Sequence, residues 1–600
     1  WNNNWTDYEW KPMTMKEIQV TRWAAGLENF VTEPLSTLPA GNTSMIVSLV
    51  RQWDHDASYT KMKNQIGVNW MRLSESHIIY LNGHEYWAAP TTINYPADDW
   101  ISHRLIYTHA ARIIVIDSHT GEYVTVQQAF GVKAEPSIYY GEEISDDVYV
   151  HVRGFEEIGN ASYTGEPDYL LSGWQRMLWF LVKEGQVGFA FSPPQDEMMM
   201  LHNRDVQRRV QDILIGGLTT DRAAYLVTDG NRIYYLVQVY SNYPIHSGFS
   251  ASSYLRFFGI VLVDIEDGRM YPYVIAKPDG FLMDFYRNYY SSWKSPPDWV
   301  ISQLRYPEDL LGTHDNPGQL DVDFKFHVND PFVWRSGSDF YERPEATEVL
   351  YILATSGNRA DFVGLQLVEY QASPGRNLAG LFIAYGSDQL GKVNLYRISN
   401  STTQLIGPSA ALQALETDDY VRQQLTLLPN YRLGNILLYL IGNRLYYFIP
   451  VYINTEVLNA VITKMAFVTV VDAATGAKVA VGGDSSEAYY AISGEIPTKL
   501  GDAEREKKLK SLFTDEGFSL VSPAKISANV EIQIANFTYV DESQWSTVTA
   551  TVDGFITNYC QKYAVSEVYY WIAADGSLNF GALVSVGGVV RLYYITVQIR

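Results

Sequence analysis

Cysteine is all but missing from this chain. Cys560 stands alone in 600 residues. No intrachain disulfide can form, and no zinc site can be built from thiolates. A lone Cys is most often a small buried hydrophobe. Positive charge is also short: 45 basic residues face 67 acidic ones, a net charge of −22. Affinity for phosphate backbones comes mainly from Lys and Arg, so the balance argues against nucleic acid, and no nucleic-acid partner is expected. An anionic membrane surface is disfavoured for the same reason. Long apolar runs are absent too. Met177–Val182 and Ala466–Val471 are too short to span a bilayer, and Leu437–Pro450 is broken by Asn443 and Arg444. The chain opens on Trp1 with no signal-peptide pattern, so a membrane link is expected only through a segment absent from this chain. Catalytic patterns are lacking as well: no G-x-S-x-G, H-E-x-x-H, P-loop or G-x-G-x-x-G occurs. The expectation is a protein that is not an enzyme and needs no cofactor.

What is present is hairpin punctuation. Asn82-Gly83, Asp229-Gly230, Asp267-Gly268 and Asp575-Gly576 each lie between apolar runs. These pairs accept the positive φ that tight hairpin turns demand. Val470–Val481 reads as a hairpin with a longer loop. Helical patterns interleave at Met15–Phe30, Gln175–Val182, Pro193–Leu214 and Glu416–Leu428. Paired strands broken by helices predict an α+β fold of antiparallel, hairpin-rich sheets.

One eleven-residue stretch returns. "GNRIYYLVQVY" (Gly230–Tyr240) matches "GNRLYYFIPVY" (Gly442–Tyr452). Each is preceded by a helical pattern and followed by a basic residue and a second hairpin. Two repeated helix–hairpin–hairpin units are therefore expected, about 210 residues apart. The expected organisation is an N-terminal α+β lobe, 1–300, with the first unit, and a second α+β lobe, 301–500, with the second. A small C-terminal α+β domain, 501–600, follows, with a strand at Val530–Val540, a helix at Trp545–Tyr563 and three final strands.

Several clusters invite chemistry. In "WDHDA" (Trp53–Ala57), Asp54 is best read as a helix N-cap, because neighbours on a helix face different ways. In "EMMMLH" (Glu197–His202), soft-metal ligation is weaker than core packing by methionine. Asp315, Asp321 and Asp323 surround a Pro-Gly turn. Their oxygens suit a calcium-type cation, although a plain acidic turn is the commoner reason for such a cluster. Glycan acceptor patterns begin at Asn4, Asn42, Asn160, Asn400 and Asn536, near chance frequency. The 44 Tyr and 15 Trp are the richest bulk feature. Adjacent Tyr pairs such as Tyr234-Tyr235 and Tyr446-Tyr447 point to opposite faces of a strand, so one of each pair is a candidate for a half-wet binding surface, against edge-of-core packing.

Many segments in order resemble the extracytoplasmic part of uncharacterised protein family 0182. They include "LVRQWDHD" (Leu49–Asp56), "ISHRLIYTH" (Ile101–His109), "IYYGEE" (Ile138–Glu143), "VTDGNRIYYLVQVYSNYP" (Val227–Pro244), "QLRYPEDLL" (Gln303–Leu311) and "FHVNDPFVWRSGSDFYERP" (Phe326–Pro344). "GKVNLYRI" (Gly391–Ile398) and the run Arg422–Tyr452 continue the series. The match covers roughly residues 45–485 by these motifs. The family consists of prokaryotic integral membrane proteins in which transmembrane helices precede a large outer domain. The resemblance implies an extracytoplasmic, cell-surface or secreted protein, and no reaction. The helical bundle is absent before this region, and the last hundred or so residues are unlike the family's usual tail. The family-motif residues Arg305, Tyr306, Pro307, Glu308 and Asp309 lie between the repeated units and read as a joint, with Arg305 free to pair with a nearby acid. The expected job is recognition or self-assembly at the cell envelope, as a homo-oligomer or surface array, with surface glycans as further partners. An envelope glycan hydrolase with dispersed carboxylates, or a soluble ligand-binding module, is the alternative.

Overall fold

Asn82 and Gly83 both take positive φ, 51° and 88°, and fold His77–Leu81 back onto His84–Ile93. The same device recurs where glycine is available: Gly230 and Gly442 turn Tyr225–Thr228 onto Ile233–Ser247 and Leu437–Ile441 onto Arg444–Val457. The computed structural model containing these hairpins describes every residue except 1–4, 39–42, 161, 248–249, 313–318, 322–325, 338–340, 345–349, 357–358, 371–376, 399–404, 458–459, 475–477, 494–517, 521–530, 541–544, 564, 566–567, 573–577, 587–588 and 600. The chain forms two compact units, Trp1–Ile492 and Ser493–Arg600.

In the first unit three five-stranded antiparallel sheets are wound in one order. In each, a long strand carries two short preceding strands along one edge and the next hairpin along the other. The first sheet uses Met71–Leu73, His77–Leu81, His84–Ile93, Ile113–Asp117 and Tyr123–Val124. The second uses Leu218–Thr220, Tyr225–Thr228, Ile233–Ser247, Ser250–Asp264 and Met270–Val274. The third uses Tyr431–Leu433, Leu437–Ile441, Arg444–Val457, Ala460–Asp472 and Val479–Gly482. The winding is thus common to three sheets, one more than the eleven-residue match marks.

Each sheet follows a helix with an aspartate at its start. Asp54 accepts from Ala57 N (2.8 Å) at His55–Lys63, and Asp205 from Arg208 N (2.9 Å) at Val206–Gln211. Asp418 accepts from Val421 N (2.9 Å) at Asp419–Leu427. These caps satisfy backbone donors that a helix start leaves open.

A six-stranded sheet joins distant parts of the sequence. Val31–Pro34 pairs in parallel with Val393–Arg397, and the sheet continues through Leu378–Tyr385 and Arg359–Tyr370. Leu350–Ser356 and Tyr341–Glu342 also pair with Arg359–Tyr370. One apolar core lies between the first and second sheets, around Val115, Tyr235 and Val263. Another lies between the third sheet and this six-stranded sheet, around Leu365, Leu381 and Phe448. The second unit holds a five-stranded sheet and the helix Trp545–Phe555, whose Val548 and Val552 pack on Phe580 and Ile595. The architecture is mixed α+β with mostly antiparallel sheets.

One helical expectation fails. Residues 193–214 are not a single helix. Glu197–Leu201 is a strand between Tyr169–Ser172 and Val148–Val150, and only Val206–Gln211 is helical. The methionines alternate with period two: Met198 and Met200 are fully buried while Met199 is not. That period is the strand signal, and the inward methionines pack on Tyr149 and Phe180.

Candidate functional site

The segment Arg305–Leu311 sits where the sheets meet. Pro307 starts the short helix Glu308–Leu311, and Gly312, at φ 100°, ends it. A proline costs nothing there, since the first helical N–H has no partner within the helix. Leu310 and Leu311 are buried, and Leu311 fills the space beside Gly364, where a Cβ would lie 2.4 Å from its Cδ2.

Arg305 is almost wholly buried. Its guanidinium lies between the rings of Tyr225 and Tyr351, 4.3 and 4.7 Å from their centroids. It donates to Ile78 O at 3.2 Å and to Glu308 at 2.8 Å. Its backbone is held too: Gln238 Nε2 donates to Arg305 O, and Arg305 N donates to the Tyr225 hydroxyl. Tyr351 donates to Tyr306 O at 2.6 Å. One arginine therefore touches the first sheet, the second sheet and the six-stranded sheet.

Further buried ionisable groups surround it. Asp221 accepts from Ala223 N (2.8 Å), from Asp309 N (3.2 Å) and from the Tyr240 hydroxyl. Burial pushes its carboxyl up to about 7, with Asp309 and Glu308 adding to the rise. His77 faces Glu142 at 3.2 Å, and both are buried. Burial opposes charge on the imidazole, but the Glu142 carboxylate outweighs it and raises His77. Arg51 donates to Tyr351 O and lies 3.8 Å from Glu85. Burial lifts Glu85 to about 7, and Arg51 restrains the rise. Arg305 reaches Ile78 O, Arg51 reaches Tyr351 O, His77 reaches Glu142 and Asp221 reaches Asp309 N, each a part of the fold distant in sequence. That is the geometry of a clamp between sheets.

Beside this clamp lies an open pocket of about 380 Å³. Asp298, Asp361, Asp388 and Ser302 line it with Tyr80 and Phe362. The two rings stack at 5.6 Å and 15°. Its floor rests on the segment leading into Arg305. Ser387 N donates to Leu304 O at 2.8 Å, and a Cβ on Gly386 would lie 2.4 Å from that same carbonyl. Carboxylates over an aromatic floor suit a polyhydroxyl or cationic small molecule. Among the described residues no group of three His, Cys, Asp or Glu side chains is placed to hold a metal ion.

The expected site residues scatter. Asp315 and Asp323 lie outside the described residues, as do Asn4, Asn42 and Asn400. Asp321 closes a short 3-10 turn, Gln319–Asp321. Asn160 ends another, Ile158–Asn160, and Asn536 is exposed on the strand Glu531–Val540. Asp54 caps its helix and also takes a two-pronged ion pair from Arg432, at 2.7 and 2.8 Å. His202, read with the methionines, instead meets Asp147 at 2.8 Å. Both members of Tyr234-Tyr235 and of Tyr446-Tyr447 are buried, because both faces of those strands are covered.

The exposed aromatics are elsewhere. On the helix Leu282–Tyr289, Met283 and Tyr286 face the core. Phe281, Phe285 and Tyr289 recur every four residues on the outer face, more than half exposed at 62%, 56% and 59%. The F-x3-F-x3-Y spacing is the signal that could have found them. Asp279 fixes the start of this helix by accepting from Phe281 N and Met283 N.

Fold and sites together define an α+β protein of hairpin-built sheets, clamped by buried ion pairs and bearing aromatic outer faces. The pattern of the Uncharacterised protein family (UPF0182) matches residues 89–428, and the chain belongs to that family. A UPF0182 protein of Clostridium botulinum (strain Hall) is 24% identical over 405 residues, covering 60% of this chain and 44% of the relative. One from Clostridium kluyveri is 25% identical over 398 residues, 60% of this chain and 43% of its own length. One from Microcystis aeruginosa is 24% identical over 537 residues, 74% and 54% respectively. The chain spans about half the length of these curated relatives. No solved structure matches it. Among the described residues no helix is long and apolar enough to cross a membrane.

Proposed function

We infer that the chain is a non-catalytic, extracytoplasmic part of the cell envelope that recognises or assembles with other macromolecules. The carrying observation is the outer face of Leu282–Tyr289, where Phe281, Phe285 and Tyr289 form an exposed row. Exposed aromatics in a row mark contact surfaces, because each ring buries a large area at small entropic cost. The buried ionisable groups support the reading from the other side, since Arg305 and Arg51 are engaged with strands of two sheets and His77 with Glu142. Self-association through this face is tested by light scattering on the eluting full chain over a concentration series. The mass is expected to rise with concentration and to fall back to the monomer in Phe285→Asp. A strictly monomeric wild type at every concentration would sink the idea.

A second reading rests on the pocket. Its three aspartates and the stacked Tyr80–Phe362 pair favour a surface glycan or a cationic ligand. Calorimetric titration with envelope oligosaccharides checks this, with Tyr80→Ala expected to abolish any heat. Heat that survives in Tyr80→Ala would rule the pocket out.

A further inference from the structure

Residues 169–191 carry a second apolar surface of a different kind. The strand Tyr169–Ser172 runs into the helix Gly173–Leu178, which continues as a wider turn through Trp179–Lys183. Gly185, at φ 66°, reverses the chain, and a short helix Val187–Phe191 packs back on the first. The inner face has a small core of its own, with Leu171, Phe180 and Ala190 against Tyr149 and Met198. The outer face is apolar. Trp174, Leu178 and Val182 follow one another at four-residue spacing, and Val187 and Phe191 repeat it on the second helix. Val182 is 82% exposed and Trp174 67%. Such side chains are not the rim of a core.

Charge separates this face from the rest of the molecule. The segment holds three charged residues. Arg176 is turned inward and donates to Gln195 O and Asp196 O. Glu184 is turned inward as well, accepting from Trp100 Nε1 (2.7 Å) and the Tyr149 hydroxyl (3.0 Å). Only Lys183 is on the outside. A chain with a net charge of −22 thus presents one hairpin whose outer surface bears no carboxylate. Tryptophan, phenylalanine, leucine and valine outward, with one lysine at the edge, is the composition that settles into a bilayer interface. Fluid lipid needs neither shape complementarity nor hydrogen-bond partners from the side chains that enter it. A stripe split in two by the turn at Gly185 fits that occupant better than a second copy, which would need a continuous ridge.

We propose that the helical hairpin 169–191 docks on the surface of an electrically neutral phospholipid bilayer, inserting Trp174, Leu178, Val182, Val187 and Phe191 at the headgroup level. The contact is independent of the aromatic row at Phe281–Tyr289, so either can fail without the other. It adds a membrane route within this chain to the one expected only from a segment outside it.

The test uses the full chain with Val182→Cys carrying an environment-sensitive fluorophore, in a Cys560→Ser background. Gln127→Cys, exposed on another element, is the control label. With phosphatidylcholine vesicles the Val182 label should shift to shorter wavelength and brighten, the Gln127 label should not, and the protein should float with the vesicles. Trp174→Asp and Phe191→Asp should each weaken partitioning roughly tenfold or more, with an unchanged melting curve. No flotation with phosphatidylcholine would overturn the proposal. So would flotation only with phosphatidylglycerol, or a label shift that follows protein concentration without vesicles, which would assign the face to a second copy.

Discussion

The three sheets of the first unit share their backbone and differ in what they bury. Tyr86, Tyr234 and Tyr446 occupy one position in them, opposite Asp117, Asp264 and Asp472. Each of these aspartates then accepts a backbone N–H from the turn it opens: Thr120 N at 2.8 Å, Glu266 N at 2.9 Å and Ala474 N at 2.8 Å. A second shared bond closes the other edge. Ser74 N donates to Pro90 O, Asp221 N to Gln238 O, and Gly434 N to Pro450 O, at 2.9, 2.8 and 2.7 Å. The winding is therefore set by turn and ladder chemistry, which many side chains satisfy.

The polar insertions are where the sheets part company. Asp221 of the second sheet stands where the others have Ser74 and Gly434. Glu85 of the first stands where the others have Ile233 and Leu445, and His77 where they have Tyr225 and Leu437. The third sheet is apolar at all three positions and contributes the Tyr439 hydroxyl to Arg51 N instead. The difference teaches that Asp221, Glu85 and His77, unlike the shared turn aspartates, are not features of the winding. Asp221 meets the Arg305 segment through Asp309 N, His77 lies beside Ile78, whose carbonyl Arg305 holds, and Glu85 lies against Arg51, which in turn holds Tyr351 O.

Breaking that contrast should give graded effects. The largest is expected at Arg305. Arg305→Met strands Glu308 and empties the space between two rings, a loss of about 3–5 kcal/mol in urea unfolding. Arg432→Met removes an equally well-formed pair with Asp54, but Arg432 is 32% exposed. Asp54 itself is only 4% exposed and keeps its bond from Ala57 N, so the loss there should be smaller than at Arg305, about 2–3 kcal/mol. Next come the turns. Gly268 has φ 70°, and a Cβ on it would lie 2.4 Å from the Tyr140 ring. Gly268→Ala should cost about 2–4 kcal/mol, against about 1 kcal/mol for Gly230→Ala, which has positive φ but open space. Equal losses at the two glycines would show that backbone strain alone is at work.

The smallest effect is one of pH. Burial raises Glu85 above its unfolded value, to about 7. The folded state then binds more protons than the unfolded state between about 4.5 and 7, so this group's contribution to stability falls as pH rises through that window. Glu85→Gln removes the dependence. The midpoint difference, variant minus wild type, should grow in the variant's favour from pH 5 to 7 and level off above. A difference flat in pH would place the Glu85 proton elsewhere.

Local chemistry made much of this legible in the sequence. Asn82-Gly83 and the glycine of Asp229-Gly230 mark turns because few residues accept the positive φ of Asn82, Gly83 and Gly230, and Asp54 marks a helix start because its short carboxylate can accept from Ala57 N. The strand at Met198–Met200 was hidden because five residues between turns carry too few periods to tell two from 3.6. The winding that the first sheet shares with the others was hidden because Glu85, Trp87 and Ala88 stand where the second sheet has Ile233, Tyr235 and Leu236. The clamp was hidden for a different reason. Arg305 meets residues 78, 225 and 351, and no spacing along the chain announces such neighbours. The outward faces at 169–191 and 281–289 follow helical spacing, but which side of a helix is covered depends on its neighbours.

The clamp at Arg305 is tested most directly by amide hydrogen exchange on wild type and Arg305→Met, read peptide by peptide. If this side chain holds the sheets to one another, His77–Leu81, Tyr225–Thr228 and Leu350–Ser356 will lose protection together in the variant, while Val589–Ile599 in the second unit keeps its own. Loss confined to the segment 305–311, with the three strands as protected as before, would contradict the account.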